Sequence, residues 1–323
     1  MKRLLMSIVL LVVLLGCSNK REVVTVGIIR VPNDTVVAIE NGWIEDAFDA
    51  YDLDVEFKFF DSGVAMNQAF ASGSLDIAEM GFTNGVVALS KNIPVKLFWI
   101  HDIIGDNEAL VVKDAINDVS DLKGKNIATI FSSTSHLSLL KVLEENNISV
   151  KDVNLLNMET AEIVAAWNRD DLDAAYTWEP TLSKIKASGH VLLTSSDLAE
   201  KGVMTTNIGL VSDAFSEKHP EAVKAFVESM IKSKDLYDND FDSVISDASK
   251  YLELEEDLVN TQIKGMKWID VEDLRNDVFV EKFVTMFVDT SQYWYEQGFI
   301  DRPAEKKDVY DFIDFSYIEE VER

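Results

Sequence analysis

The chain holds a single cysteine, Cys17, among 323 residues. That scarcity excludes a disulfide framework, a cysteine-built metal site and a thiol nucleophile anywhere deeper in the chain. Histidine is nearly as rare, with only His101, His136, His190 and His219, and no two of them stand at a metal-ligand spacing. The His-Glu-x-x-His and Gly-x-Ser-x-Gly signatures are both missing, so no catalytic set, no metal and no cofactor is expected. Positive charge is also short: 30 Lys and Arg face 57 Asp and Glu, a formal net charge of −27. Such a surface repels nucleic acid and gives a free anion no long-range attraction, so an anionic ligand has to be held by local dipoles. Past the N-terminus no run approaches 18 uninterrupted apolar residues, and no Gly/Ser-rich linker or low-complexity segment divides the chain.

What is present begins at the N-terminus. Met1, Lys2 and Arg3 precede an apolar run over residues 4–15, followed by Gly16 and Cys17. The run is about half the ~20 residues a spanning helix needs, and a positive flank before it with a small residue after it is the layout of a secretory signal. Leu14-Leu15-Gly16-Cys17 resembles a bacterial lipobox, in which the cysteine becomes the lipidated first residue. An ordinary signal peptide with an incidental cysteine is the competing reading. The place of Cys17 directly after Gly16 favours lipidation. The expectation is a signal peptide over residues 1–16, a lipidated tether over 17–22, and a domain held outside the cytoplasm by a lipid anchor in the cell membrane.

Residues 23–29 form a β-branched run suited to a strand buried on both faces. Pro32, Asn33 and Asp34 then open a helical pattern that runs to about Tyr51. Residues 54–60 alternate as a second strand, residues 64–72 read as a helix stopped by Gly73, and residues 75–80 as a third strand before Gly81-Phe82-Thr83-Asn84-Gly85. The pattern recurs with strands at 125–131, 153–157 and 172–177, a small polar loop at 132–136, and helices at 137–147 and 161–169. A shift of 97 residues lays Ala69 on Ala166, Phe70 on Trp167, Leu75 on Leu172, Asp76 on Asp173 and Ala78 on Ala175. The fold class is therefore α/β, with two similarly wound lobes. Strand-like runs near 108–113 and 207–212 are two crossings between them. Lobe 1 is expected to comprise residues 24–112 plus 208–323, and an inserted lobe 2 residues 113–207, joined as a hinge. From Ala214 onward the chain is mainly helical, and the aromatics of residues 279–295 fit a core at helical spacing.

Ligands of open α/β sheets gather where strands end and helices begin. Two facing lobes would line a cleft with such loops, which brings forward Asn33, Asp61, Thr83 and Asn84 from the first and Ser133, Thr134, His136, Trp178 and Glu179 from the second. In Ser132-Ser133-Thr134-Ser135-His136 four hydroxyls and several backbone N–H groups precede a helix, whose N-terminus carries roughly half a positive charge. Plain N-capping is the alternative, but one hydroxyl would suffice for that. Trp178 and Glu179 offer an indole face and a carboxylate suited to a cation, although an acidic residue there also complements the helix dipole. Asp61 equally fits the needs of a turn.

Several stretches carry a more specific likeness, in order along the chain. They are Phe60-Asp61-Ser62-Gly63, Glu108-Ala109-Leu110-Val111-Val112, Asp121-Leu122-Lys123-Gly124-Lys125, Ser133-Thr134-Ser135-His136, Ala165-Ala166-Trp167, Trp178-Glu179-Pro180 and Phe215-Ser216-Glu217-Lys218-His219-Pro220. Together they resemble the periplasmic taurine-binding proteins and the wider group of sulfonate, nitrate and thiamine-precursor binders of ABC importers. The likeness spans roughly residues 24–235 and is weak over the last ~90. It implies a type II periplasmic-binding-protein fold, a monomer, closure on a small taurine-like sulfonate, and transfer to an ABC permease in the membrane. By resemblance, Ser133, Thr134 and His136 fall on the sulfonate side, Trp178 forms a wall, and Glu108 and Asp61 are conformational or amine-side residues. Asn207 stands where that group has Asp, and a neutral amide there forfeits a charge-assisted bond to an ammonium, about twice as strong as a neutral one.

Three other readings remain. A thiamine-precursor pyrimidine, another small heteroaromatic or another anionic nutrient could stack on Trp178. Some relatives of the pyrimidine-precursor group are self-consuming enzymes, against which stands the lack of catalytic motifs. A sensory ectodomain would need a separate membrane partner.

Overall fold

The computed structural model describes residues 21–319; the expected signal peptide, Cys17 and most of the tether fall outside the described residues. Among those described, two sheets carry the architecture. The first is assembled from β1 (Glu22–Ile28), β2 (Leu53–Phe59), β3 (Ile77–Gly81), β4 (Val95–Ile104), β10 (Thr206–Ser212) and β11 (Met266–Trp268), in the order β11-β4-β10-β3-β1-β2. The second contains β5 (Glu108–Val112), β6 (Asn126–Thr129), β7 (Asn154–Asn157), β8 (Ala174–Trp178) and β9 (His190–Thr194), in the order β7-β6-β8-β5-β9. In each sheet three strands pair in parallel, and the crossing strand, β10 or β5, pairs antiparallel with its neighbours on both sides.

The sequence repeat has a structural counterpart. Asp76 Oδ2 accepts from the Thr25 N–H at 2.8 Å in the first lobe, and Asp173 Oδ2 accepts from the Asn126 N–H at 2.9 Å in the second. Each aspartate follows a helix, Gly63–Ala71 or Thr160–Asn168, and ties the entry of the third strand to the first. Phe70 and Trp167, at the ends of those helices, are buried in the cores of their own lobes.

One strand assignment needs correction. Residues 108–112, expected to close lobe 1, pair as β5 with β8 and β9 and so belong to the second sheet. The chain leaves the first lobe at residues 105–107, directly after β4. That ten-residue strand was not read from the sequence, because a strand buried on both faces shows no alternation. The return into β10 runs beside it, with the Ile104 N–H donating to the Thr205 carbonyl at 2.9 Å. Gly105 is required here: a Cβ on it would lie 2.5 Å from the Gly265 carbonyl oxygen.

After β10 the helices Pro220–Asn239 and Asp277–Glu296 bury Phe226, Met230, Phe283, Phe287 and Trp294 in the core of the first lobe. The lobes meet through the helix Thr134–Glu145, whose Leu137 and Leu140 join that same core. Lys141 Nζ sits 3.8 Å from the ring centre of Tyr293, and His136 packs against Trp294 and Phe299. The two lobes are thus closed against each other.

Candidate ligand cleft

Between the lobes lies a cavity with about 600 Å³ free of protein atoms, part of it open to solvent. The first lobe lines it with Ser62, Gly63, Glu79, Gly81, Asn84 and Asn207, and the second with Asn107, Glu108, Ser133, Thr134 and Trp178. Ile29, Val31, Ile104, Ile130 and Phe131 give it apolar walls. Closure is tight. A Cβ on Gly81 would stand 2.9 Å from Thr134 Cγ2.

The helix Thr134–Glu145 presents its N-terminus to this cavity. Ser133 is its cap: its Oγ accepts from the His136 N–H at 3.2 Å and donates to the Ile130 carbonyl at 2.6 Å. The N–H groups of Thr134 and Ser135 are first-turn donors with no acceptor inside the helix, which is how a helix start holds an anion. The hydroxyls do different work. Thr134 Oγ1 and Ser135 Oγ donate to Glu108 Oε2 at 2.6 and 2.8 Å, and Ser195 Oγ donates to Oε1 at 2.7 Å. Glu108 is 1% exposed, and burial raises its carboxyl pKa against these bonds. The hydroxyl run thus holds a buried carboxyl across the hinge entry, and the backbone N–H groups of the helix tip keep their donor capacity toward the cavity.

The opposite wall is built from strand faces. Glu79 and Gly81 share one face of β3, and Asn207 on β10 lies across from Gly81. Asn207 Nδ2 donates to both oxygens of Asp102, at 3.0 and 3.1 Å, so its carbonyl Oδ1 is the amide atom able to accept from a ligand. Glu79 Oε2 accepts from Asn33 Nδ2 at 2.5 Å. Behind it, His101 Nδ1 is 2.7 Å from Asp34 Oδ1, and Trp99 Nε1 donates to Asp34 Oδ2 at 3.1 Å. Burial pushes Glu79 up to about 8 and Asp102 up to about 6. Burial opposes the His101 cation, yet the Asp34 carboxylate, joined by Glu79 once it ionises, holds that group up to about 9.

Of the residues expected at the site, Asn84, Glu108, Ser133, Thr134, Trp178 and Asn207 line this cavity. Others do not. His136 lies inside the helix, stacked on Phe131 at 4.5 Å, and faces the seam between lobes instead of a ligand. Glu179 is saturated by the Ser183 N–H and hydroxyl, at 3.0 and 2.7 Å, and only holds its own helix. Asp61 lines a neighbouring pocket with Arg30, Lys184 and Trp178. Thr83 is fully buried, and Asn33 acts behind the wall through Glu79. Glu79, Asp102 and His101 were missed, although a glutamate in the apolar run Ile77-Ala78-Glu79-Met80 is a buried charge legible in the sequence. Among the described residues no group of three or more His, Cys, Asp or Glu side chains is placed to hold a metal ion.

Comparison with known proteins places this geometry. Residues 34–240 match the family model described as NMT1/THI5 like. The chain is 33% identical over 273 residues to the taurine-binding periplasmic protein of Escherichia coli, covering 82% of this chain and 84% of that one. A putative aliphatic sulfonates-binding protein of Bacillus subtilis is 26% identical over 324 residues, covering 96% and 94%. Among solved structures, the alkanesulfonate-binding protein SsuA of Xanthomonas axonopodis pv. citri, bound to MOPS, superposes with a TM-score of 0.76 at 19% identity, covering 90% and 98%. The desulfurization enzyme DSZB shares the fold at a TM-score of 0.65 and 16% identity, covering 93% and 98%. The architecture is the two-lobed α/β fold of periplasmic binding proteins.

Proposed function

The chain belongs to the NMT1/THI5-like family, and from that premise we propose that it is the extracytoplasmic substrate-binding component of an ABC importer, capturing taurine or a similar small alkyl sulfonate. One observation carries this reading: the tip of the helix Thr134–Glu145 and Trp178 from one lobe face Glu79, Asn84 and Asn207 from the other around a single cavity. A sulfonate fits the helix tip, where two unpaired N–H groups and the helix dipole supply attraction without a cationic side chain. Its short alkyl chain fits the Ile29, Ile104 and Trp178 walls. Capture rather than turnover suits a cavity lined by neither cysteine nor histidine. A lipid anchor at Cys17 would keep the protein beside its permease.

The test is a calorimetric and thermal-shift panel of taurine, isethionate, ethanesulfonate, nitrate and an aminopyrimidine. A sulfonate at a hundred times its Kd should stabilise the protein by about 2.7 kcal/mol through mass action. Stabilisation by the pyrimidine alone would transfer the reading to a thiamine-precursor binder stacked on Trp178. No response to any sulfonate would remove the sulfonate assignment.

A further inference from the structure

Resting on the sulfonate reading, we propose that Glu79 receives the cationic end of the ligand, so that this cleft selects a zwitterionic aminoalkyl sulfonate over sulfonates that carry no ammonium. Four carboxylates come near the cavity, and their bonding separates them. Glu108 has both oxygens occupied, Oε2 by Thr134 and Ser135 and Oε1 by Ser195. Asp102 is committed to Asn207 through both oxygens. Asp61 lines the neighbouring pocket. Glu79 lines the cavity itself, is 6% exposed, and is bonded at Oε2 by Asn33, which leaves Oε1 with accepting capacity. Asn207 Oδ1 is a second acceptor on the same wall. An ammonium donates three hydrogen bonds and accepts none, so a carboxylate beside an amide carbonyl complements it. The helix tip of the other lobe lies across the cavity, so the two poles match the two ends of a short zwitterion. The charge that Asn207 lacks is thereby carried by a neighbouring strand.

Glu79 is faced by Asp34 from the helix Asp34–Glu40, by His101 and Asp102 from β4, and by Glu108 across the cavity. Burial keeps it protonated in the empty cleft near neutral pH, its pKa lying at about 8. Seating an ammonium against it then releases a proton. Taurine affinity should therefore rise by up to roughly tenfold per pH unit from about pH 6 to about pH 8, while isethionate, which has a hydroxyl in place of the ammonium, should show no such rise.

The experiment is calorimetry of the wild-type protein and Glu79→Gln with taurine and isethionate, across that pH range and in buffers of different ionisation enthalpy. The wild type should prefer taurine and release close to one proton on binding it at about pH 6–7, falling to about half of one at pH 8. The variant should bind taurine roughly tenfold or more weakly, lose the pH dependence, and keep its isethionate affinity, which also reports that it is folded. Equal losses for both ligands, or no loss for either, overturn the proposal. So does a wild type that binds sulfonates without preferring the ammonium, a result that leaves the sulfonate reading standing. A wild type that binds no sulfonate removes that reading and this one with it.

Discussion

Acidification should loosen the seam between the lobes through His136. Its ring lies flat on Phe131 with centroids 4.5 Å apart, meets Phe299 edge-on at 4.9 Å, and is tilted against Trp294 at 5.2 Å. It is fully buried; Nδ1 accepts from the Ser132 N–H at 3.2 Å, and Nε2 has no hydrogen-bond partner. Burial holds the imidazole down to about 3 from an ordinary value of 6.5. The folded state thus binds fewer protons than the unfolded chain between these values. The stability carried by the neutral ring is present above pH 6.5 and is lost as pH falls toward 3. Integrated from pH 7 to pH 5, that loss is about 2 kcal/mol. Glu79 and Asp102, whose carboxyls are pushed up, favour the folded state in acid, so the total profile mixes opposite slopes. Urea unfolding of wild type and His136→Phe at pH 5, 6 and 7 separates them. Phenylalanine keeps the stack and removes the titration, at a fixed cost of about 1 kcal/mol for the lost Ser132 bond. The gap between the two proteins should narrow, and then reverse, by about 2 kcal/mol as pH falls. Parallel profiles over this range would falsify the assignment of His136 as a neutral wedge.

Closure can be tested by size alone. Gly81→Ala places a methyl 2.9 Å from Thr134 Cγ2 and should raise the ligand Kd by roughly tenfold, whereas Gly81→Ala with Thr134→Ser, which deletes that methyl and keeps the Glu108 bond, should recover most of it in calorimetry. Glu108→Ala strips the acceptor from Thr134, Ser135 and Ser195 and should destabilise by about 2–4 kcal/mol in chemical denaturation, while Glu108→Gln should cost less than half as much. Trp178→Ala removes the wall shared by the cavity and the neighbouring pocket, and should weaken sulfonate binding by about 1–3 kcal/mol; unchanged affinity would place the ligand elsewhere. Cys17→Ser in the full chain should shift the protein from the membrane fraction to the soluble extracytoplasmic fraction, and retention in the membrane would refute lipid anchoring.

Much of the architecture was legible because period and punctuation coincided. The expected strands over 23–29 and 54–60 form as Glu22–Ile28 and Leu53–Phe59, since one is a β-branched run buried from Val24 onward and the other alternates between an inward and an outward face. The helix over 64–72 forms as Gly63–Ala71, with Gly73 left-handed behind it at φ 70°. What failed was sheet membership. The run over residues 109–112 is equally apolar whichever lobe it joins, and only pairing partners 62 or more residues downstream decide the matter. The helix pattern running to Tyr51 also breaks at Asn41-Gly42 into Asp34–Glu40 and Trp43–Asp49, because Gly42 turns left-handed at φ 71°.

The site was legible in a different way. Chain composition pointed to a dipole in place of a cation, and the helix tip at Ser133 supplies one. Counting hydroxyls misjudged what they face, because a row of donors needs an acceptor, and the nearest strong one is the buried Glu108 carboxyl, not solvent or ligand. Glu179 shows the same effect in reverse: a carboxylate that looked free for a cation is consumed four residues later by Ser183. Glu79 stands out in the sequence as a charge within an otherwise apolar strand, but the sequence does not show which wall of the cleft that strand lines. Yet in a strand buried on both faces, an ionisable group persists only where something compensates it. Here Asn33 bonds it, and the Asp34–His101 pair stands behind it. Burying these groups is costly, and a cationic ligand end that meets the carboxyl in the cleft would offset part of that cost. An empty cleft at pH 8 should then be less stable than one carrying Glu79→Gln, and taurine should reverse the order of their melting temperatures.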